Sequence, residues 1–113
     1  MDCIFCDIVS GSIPADIVYD DDEFIAFRDI HPQAPVHIVI IPHRHISSVN
    51  DLRVTDQALA GVMVLIAKNV AQQEGIARSG YRLVFNCGTD GTQEVPHLHL
   101  HLLGGHPLSN QLG

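Results

Sequence analysis

Apolar and polar positions repeat with different periods along this chain, and each period points to a different element. Ile4, Phe5, Ile8 and Val9 recur at helical spacing, with Asp2 placed to cap the start and Gly11 to stop it. A short helix is therefore expected to about Ser10. Ile17–Tyr19 and Phe24–Phe27 flank the acidic tetrad Asp20–Glu23 and read as a hairpin. Pro32 and Pro35 bracket a loop before the apolar strand Val36–Ile41, which Pro42 closes. From Thr55 to about Gln73, Leu59, Val62, Met63, Ile66 and Val70 fall on one helical face, with Gly75 as the stop. Tyr81–Asn86 is a further strand, followed by a loop to Glu94 rich in glycine and threonine. The order is helix, three strands, helix, two strands. Short connections among the strands predict an antiparallel sheet of about five strands, with one long and one short helix, in an α+β domain.

The last strand carries the most specific pattern. Residues 97–101 read His-Leu-His-Leu-His, followed by Leu102, Leu103, Gly104 and Gly105. Successive side chains of a strand point to opposite faces, so His97, His99 and His101 are expected on one face. Leu98, Leu100 and Leu102 then go into the core. Neighbouring imidazoles start roughly 7 Å apart along such a strand, a spacing suited to convergence on one small ligand. A lone histidine on a strand is ordinarily a polar residue on a wet face. Here the whole polar face is given to the side chain that acts as base, nucleophile or metal ligand near neutral pH.

Composition narrows the field. At 113 residues the chain has room for a single domain, 1–113, and for one core. Hydrophobic residues at 46% and charged ones at 17% give a globular balance with no signature of disorder. No apolar stretch is expected to approach the roughly 20 residues that cross a bilayer. No signal peptide is expected before Cys3, and a cytoplasmic location without a membrane partner follows. The net charge of −7, with only six scattered lysines and arginines, counts against nucleic acid as a partner. A small phosphorylated ligand stays open, because backbone N–H groups and imidazoles can cradle one phosphate. Three cysteines, an odd number, fit a reducing compartment better than a disulfide framework.

Residue types leave two chemistries for the triad. One makes a histidine the nucleophile of a covalent intermediate. The other makes His97 and His99 ligands of a catalytic zinc. Asn86, Gly88, Thr89, Gly91, Thr92 and Gln93, in the loop before the triad, offer donors for a phosphoryl group. Cys3-x-x-Cys6 is a weak signal by itself, since a redox reading asks for a βαβ context that is missing. Cys87 reads as ordinary packing.

Residues 97–103, His-Leu-His-Leu-His-Leu-Leu, match the signature of the histidine triad (HIT) family. The wider chain resembles that family's Hint-like branch. The matching segments are Asp29-Ile30-His31-Pro32-Gln33-Ala34-Pro35-Val36-His37, Ile41-Pro42, His45-Ile46, Gly91-Thr92-Gln93-Glu94-Val95-Pro96 and Gly104-Gly105. They run in order over nearly the whole chain.

The resemblance implies a HIT-like fold and a hydrolase or nucleotidyl transferase acting on purine nucleoside 5′-phosphoramidates of the AMP-amine type. It makes His99 the nucleophile on the α-phosphorus, with His101 on the phosphate and the bridging atom. Asp29 takes the ribose hydroxyls, and His37 and Asn86 order the phosphate side. Phe5, Ile13, Phe27 and Ile30 form the purine slot, and Gln93 is counted among the substrate-binding residues. Glu94 stands where eukaryotic members carry a serine that helps protonate the leaving amine. Glu94, His101 and water are thus the candidate acids. No cofactor is required for catalysis. Some relatives hold a structural zinc at positions that here are Cys3, Cys6, His45 and His97.

The alternatives are a dinucleoside polyphosphate hydrolase, or a nucleotide-binding module whose hydrolysis is incidental. A symmetric homodimer is expected through the Thr55–Gln73 helix and the Tyr81–Asn86 strand edge, since a domain this small has a limited core and an open edge can extend its sheet.

Overall fold

The computed structural model describes residues 3–112. Helix α1 spans Ile4–Ser10, and Gly11 closes it at φ 83°, in the left-handed region where glycine bears no Cβ penalty. The cap belongs to Cys3, whose Sγ accepts from the backbone N–H of Cys6 at 3.3 Å. The expected cap, Asp2, lies outside the described residues.

Three strands follow: β1 (Ile17–Asp20), β2 (Phe24–Arg28) and β3 (Val36–Pro42). The turn between the first two is built by Asp21, whose Oδ1 accepts from the N–H groups of Glu23 and Phe24 at 2.8 and 2.7 Å. Helix α2 (Gln57–Gln73) then leads to β4 (Tyr81–Phe85) and β5 (Leu100–Gly104). The strand order is β1-β2-β3-β5-β4, and every neighbouring pair is antiparallel. The α+β class and the five-stranded sheet expected from the sequence are both present.

Strand register sorts the side chains onto two faces. Phe24, Ala26, Ile38, Ile40, Leu100 and Leu102 pack with Met63, Ile66, Ala67 and Val70 of α2 in the main core. Burying each large side chain there contributes about 2 kcal/mol. On the other face Ile25, Phe27, Val39 and Ile41 meet Ile8 and the half-buried Phe5, Val9 and Ile13. That smaller layer ends where the histidines begin. Val39 pairs with His101 and His37 with Leu103, so both imidazoles continue the face that α1 covers.

Two boundaries differ from the sequence reading, each for a physical reason. Helix α2 starts at Gln57 because Val54–Asp56 forms a 3₁₀ turn, closed by Asp56 Oδ2 accepting from Arg53 N at 2.9 Å. Its buried stripe is Met63, Ile66, Ala67, Val70 and Ala71, while Val62 is 37% exposed. Small alanines let that face lie close to the sheet, which a count of large apolar residues misses. With its lead-in, Val54–Gln73 is 20 residues and contains an 18-residue window of mean hydropathy 1.2, long and apolar enough by length and composition to cross a membrane. This corrects the expectation that no such stretch exists, although in this fold one face of the helix is core.

The second boundary concerns the triad. Ladder pairing begins at Leu100, so His97 and His99 belong to the segment leading into it and only His101 lies within a strand. The backbone N–H of His97 donates to Val95 O at 2.8 Å and that of Leu98 to Ile46 O at 2.6 Å. Alternation survives this change. Leu98, Leu100 and Leu102 are in the core, while His97 and His99 are buried away from it.

Candidate active site and metal-binding cluster

Backbone groups of known polarity settle the proton positions of the triad. Burial pushes the His97, His99 and His37 rings below the ordinary imidazole value, so each is neutral at physiological pH. A neutral imidazole has one N–H and one bare nitrogen. His99 Nδ1 lies 2.6 Å from the carbonyl of His97, which can only accept. His99 therefore carries its proton on Nδ1 and keeps a bare Nε2.

The same logic runs from Gln33 to His101. The N–H of Gln33 donates to His37 Nδ1 at 3.0 Å, so the proton of His37 sits on Nε2. That Nε2–H faces His101 Nδ1 at 2.9 Å and Asp29 Oδ2 at 3.5 Å. Having accepted at Nδ1, His101 presents Nε2–H. Its ring centroid is 5.0 Å from that of His99. The result is a bare nitrogen beside an N–H donor, a pairing suited to attack on an atom that carries oxygens.

These histidines line a cleft of about 510 Å³ with Phe5, Asp29, Asn86 and Glu94. Phe5 is its apolar wall, edge-on to Phe27 at 5.4 Å and to His99 at 5.1 Å. Burial pushes His101 down to about 4, aided by His99 and His37 alongside. The sign of the resulting pH dependence is fixed. The unfolded chain takes this proton near 6.5, whereas the folded ring takes it only near 4. Stability is therefore full above 6.5 and is lost as pH falls toward 4. The urea midpoint should drop between about pH 7.5 and about pH 5; an unchanged or higher midpoint contradicts neutral burial of these rings.

Not every residue assigned from the sequence reaches the cleft. Ile13 packs with α1 in the smaller core layer and lines a neighbouring depression instead. Ile30 is 82% exposed, between the cleft-lining Asp29 and His31. The Gln93 amide is occupied by backbone groups of its own loop and of the segment after β3: Oε1 accepts from Gly88 N at 3.0 Å, and Nε2 donates to Val95 O and Ser47 O. Asn86 lines the cleft while its Nδ2 donates to Gly91 O at 2.8 Å.

Gln33 lines the cleft without having been singled out as a site residue, and Thr92, one of the loop donors read from the sequence, lines it too. Thr92 sits at φ 60°, a left-handed position costing a β-branched residue on the order of 1–3 kcal/mol. Neither its strain nor the Gln33 hydrogen bond has a local sequence signal. At the preceding Gly91 an added Cβ would fall 2.3 Å from Cys87 O, so the loop path admits only glycine there.

A second cluster adjoins the first. Cys3, Cys6, His45 and His97 bring four donor atoms within 4.8 Å of one another and could hold a metal ion. His97 Nδ1 is 3.3 Å from Cys3 Sγ, 3.6 Å from Cys6 Sγ and 3.2 Å from His45 Nδ1. Such spacings fit the roughly 3.3–3.8 Å between ligands around a tetrahedral ion with bonds of about 2.0–2.3 Å. His97 Nε2 donates to Pro42 O at 2.9 Å, which leaves Nδ1 bare for a metal.

Comparison with known proteins agrees with this geometry. A family model described as "Scavenger mRNA decapping enzyme C-term binding" matches residues 2–111. The purine nucleoside phosphoramidase of Escherichia coli (strain K12) is 52% identical over 109 residues, covering 96% of this chain and 92% of its own length. The crystal structure of a HIT family hydrolase from Legionella pneumophila Philadelphia 1 superposes with a TM-score of 0.97 at 49% identity, covering 99% of this chain and 100% of that one. A Zn-bound histidine triad family protein from Mycobacterium smegmatis gives a TM-score of 0.79 at 32% identity, covering 97% of this chain and 77% of that one.

Proposed function

Because this chain belongs to the histidine triad family, we propose that it is a purine nucleoside phosphoramidase working through a nucleotidyl-histidine intermediate. The observation that carries this reading is the tautomer set, a bare His99 Nε2 beside a His101 Nε2–H. His99 Nε2 attacks the α-phosphorus, forming a P–N bond as the substrate's own P–N bond breaks. His101 donates to a phosphate oxygen and shields the charge that builds there. It stays neutral at physiological pH and acts as a hydrogen-bond donor. The departing amine takes its proton from Glu94 at the cleft rim or from solvent. Water then attacks phosphorus as the P–Nε2 bond breaks; its proton restores Glu94 or passes to solvent, AMP leaves and neutral His99 returns.

In this reading Asp29 takes the ribose hydroxyls, and Phe5, backed by Phe27, takes the purine. Positioning and charge stabilisation are most of what phosphoryl transfer asks of a protein. The reading is tested with a fluorogenic AMP phosphoramidate assayed beside diadenosine polyphosphates. Faster turnover of the phosphoramidate is expected, and a preference for the polyphosphates overturns it.

The four-donor cluster is assigned to a structural zinc, a reading supported by the donor set and by the Zn-bound relative. When bound, zinc supplies folding energy, since four protein ligands leave no open position for substrate. Three cysteines free of disulfides support a reducing, cytoplasmic setting.

A homodimer is supported by two surfaces. Val62, Val64 and Leu65 of α2 are 37%, 44% and 57% exposed, and β4 is an edge strand. Light scattering at micromolar concentration should return twice the 12.3 kDa chain mass, whereas 12.3 kDa itself rejects the dimer.

A further inference from the structure

The cleft continues beyond the histidines. A second hollow of about 420 Å³ shares Gln33, His37, Asn86, Thr92 and His101 with the first. Its remaining lining comes from β4, β5 and the C-terminal tail: Arg82, Val84, Leu103, Leu108 and Ser109. The paired His37 and His101 rings thus stand between two half-sites. One half holds the nucleophile His99 with Phe5 and Asp29, and the other holds Arg82.

Register fixes where Arg82 stands. Across the sheet, His37, Leu103 and Arg82 form one row, and Phe27, Val39, His101 and Val84 form the next. All seven lie on the same face. Arg82 is therefore the diagonal neighbour of His101 on the adjacent strand, at about 7–8 Å and within reach of a long side chain. Among the described residues no other lysine or arginine lines either half. Nη2 of Arg82 donates to Ser109 O at 2.6 Å, which steadies the guanidinium and leaves most of its five donors over. Among the described residues no carboxylate pairs with it. In a chain of net charge −7, a half-buried cation at this position selects locally for negative charge.

A substrate whose phosphorus sits at His99 and His101 has two arms and meets two halves. In the phosphoramidase reading the nucleoside arm goes to the half lined by Phe5 and Asp29. The leaving arm is left with the half over β4. We propose that Arg82 forms a leaving-group subsite selecting amines that carry a carboxylate, so that the preferred substrates are AMP phosphoramidates of amino acids. Apolar Val84, Leu103 and Leu108 receive the carbon skeleton, and the guanidinium receives the carboxylate. This inference rests on the phosphoramidase reading and specifies its second substrate arm.

The experiment compares kcat/KM for AMP joined through nitrogen to alanine and to alaninamide, which differ at one end by a single charge. Diadenosine tetraphosphate is assayed in parallel, because its phosphate chain offers an anion from another source. The wild type is expected to favour the carboxylate by about tenfold, the worth of one charge-assisted hydrogen bond. In Arg82→Ala the ratio should fall to near one, and Arg82→Lys should restore part of it. Arg82→Gln, which keeps a donor for the Ser109 carbonyl, should lose the ratio as fully as Arg82→Ala. Lost packing alone does not move that ratio. Equal rates in the wild type, or a ratio unchanged by the substitutions, overturn the subsite while phosphoramidase activity stands. Loss on diadenosine tetraphosphate alone assigns Arg82 to a phosphate chain and overturns it too. If the wild type cleaves neither phosphoramidate, both proposals fall.

Discussion

His99→Ala should lose turnover on the order of a thousandfold or more while its dissociation constant for AMP shifts by less than about threefold. The expected asymmetry comes from the geometry. His99 is the triad member with a bare Nε2, because its Nδ1–H is committed to the His97 carbonyl at 2.6 Å. Alanine removes that nitrogen but leaves Asp29, Phe5, His37 and His101 along the cleft to hold a nucleotide. Burial also holds the ring below its ordinary pKa, so wild-type kcat/KM should be level through neutrality. It should fall only below about pH 6.5, as the nucleophile takes up a proton. A variant keeping a tenth of wild-type kcat excludes the nucleophilic role.

Cys3→Ser should lower the melting temperature by on the order of 10 °C or more, while much of kcat survives at low temperature. The four donors come from the start of α1, the segment after β3 and the segment entering β5. A bound ion therefore ties three separate parts of the chain together, and its binding energy is folding energy. Catalysis is expected to survive the loss, because the His97 ring has its own bond to Pro42 O and the hydrogen bond to His99 comes from the His97 backbone carbonyl. Elemental analysis of protein prepared without chelators should find one zinc per chain. Finding none removes the site. Chelation that abolished turnover without lowering the melting temperature would place the metal in the chemistry.

The sequence made the outline of the fold legible because its signals are local. Alternation at 97–102 put leucines on one side and imidazoles on the other, and the structure keeps that division although His97 and His99 precede the ladder. The long helix was legible from its period, but its buried stripe was not, since alanines at 67 and 71 carry little weight in a pattern of large residues. Insertion of β5 between β3 and β4 joins residues far apart in the chain and has no short-range signature.

For the site, residue types were readable and relations between them were not. The cysteine–histidine cluster converges as the resemblance implied, but the path from Gln33 N–H through His37 to His101 depends on tertiary approach. Gln93 shows the limit in the other direction. A polar residue in a loop rich in donors reads as a ligand contact, and the sequence has no signal for the bonds its amide makes to Gly88, Val95 and Ser47.

The covalent step is most directly tested by a single-turnover experiment with an AMP phosphoramidate, quenched in alkali and followed by intact-mass and fragmentation analysis. The account predicts amine release ahead of AMP, with one adenylyl group per active chain carried on His99. Amine and AMP released together with no protein-bound nucleotide, or an adenylyl group mapped to His101, would contradict it.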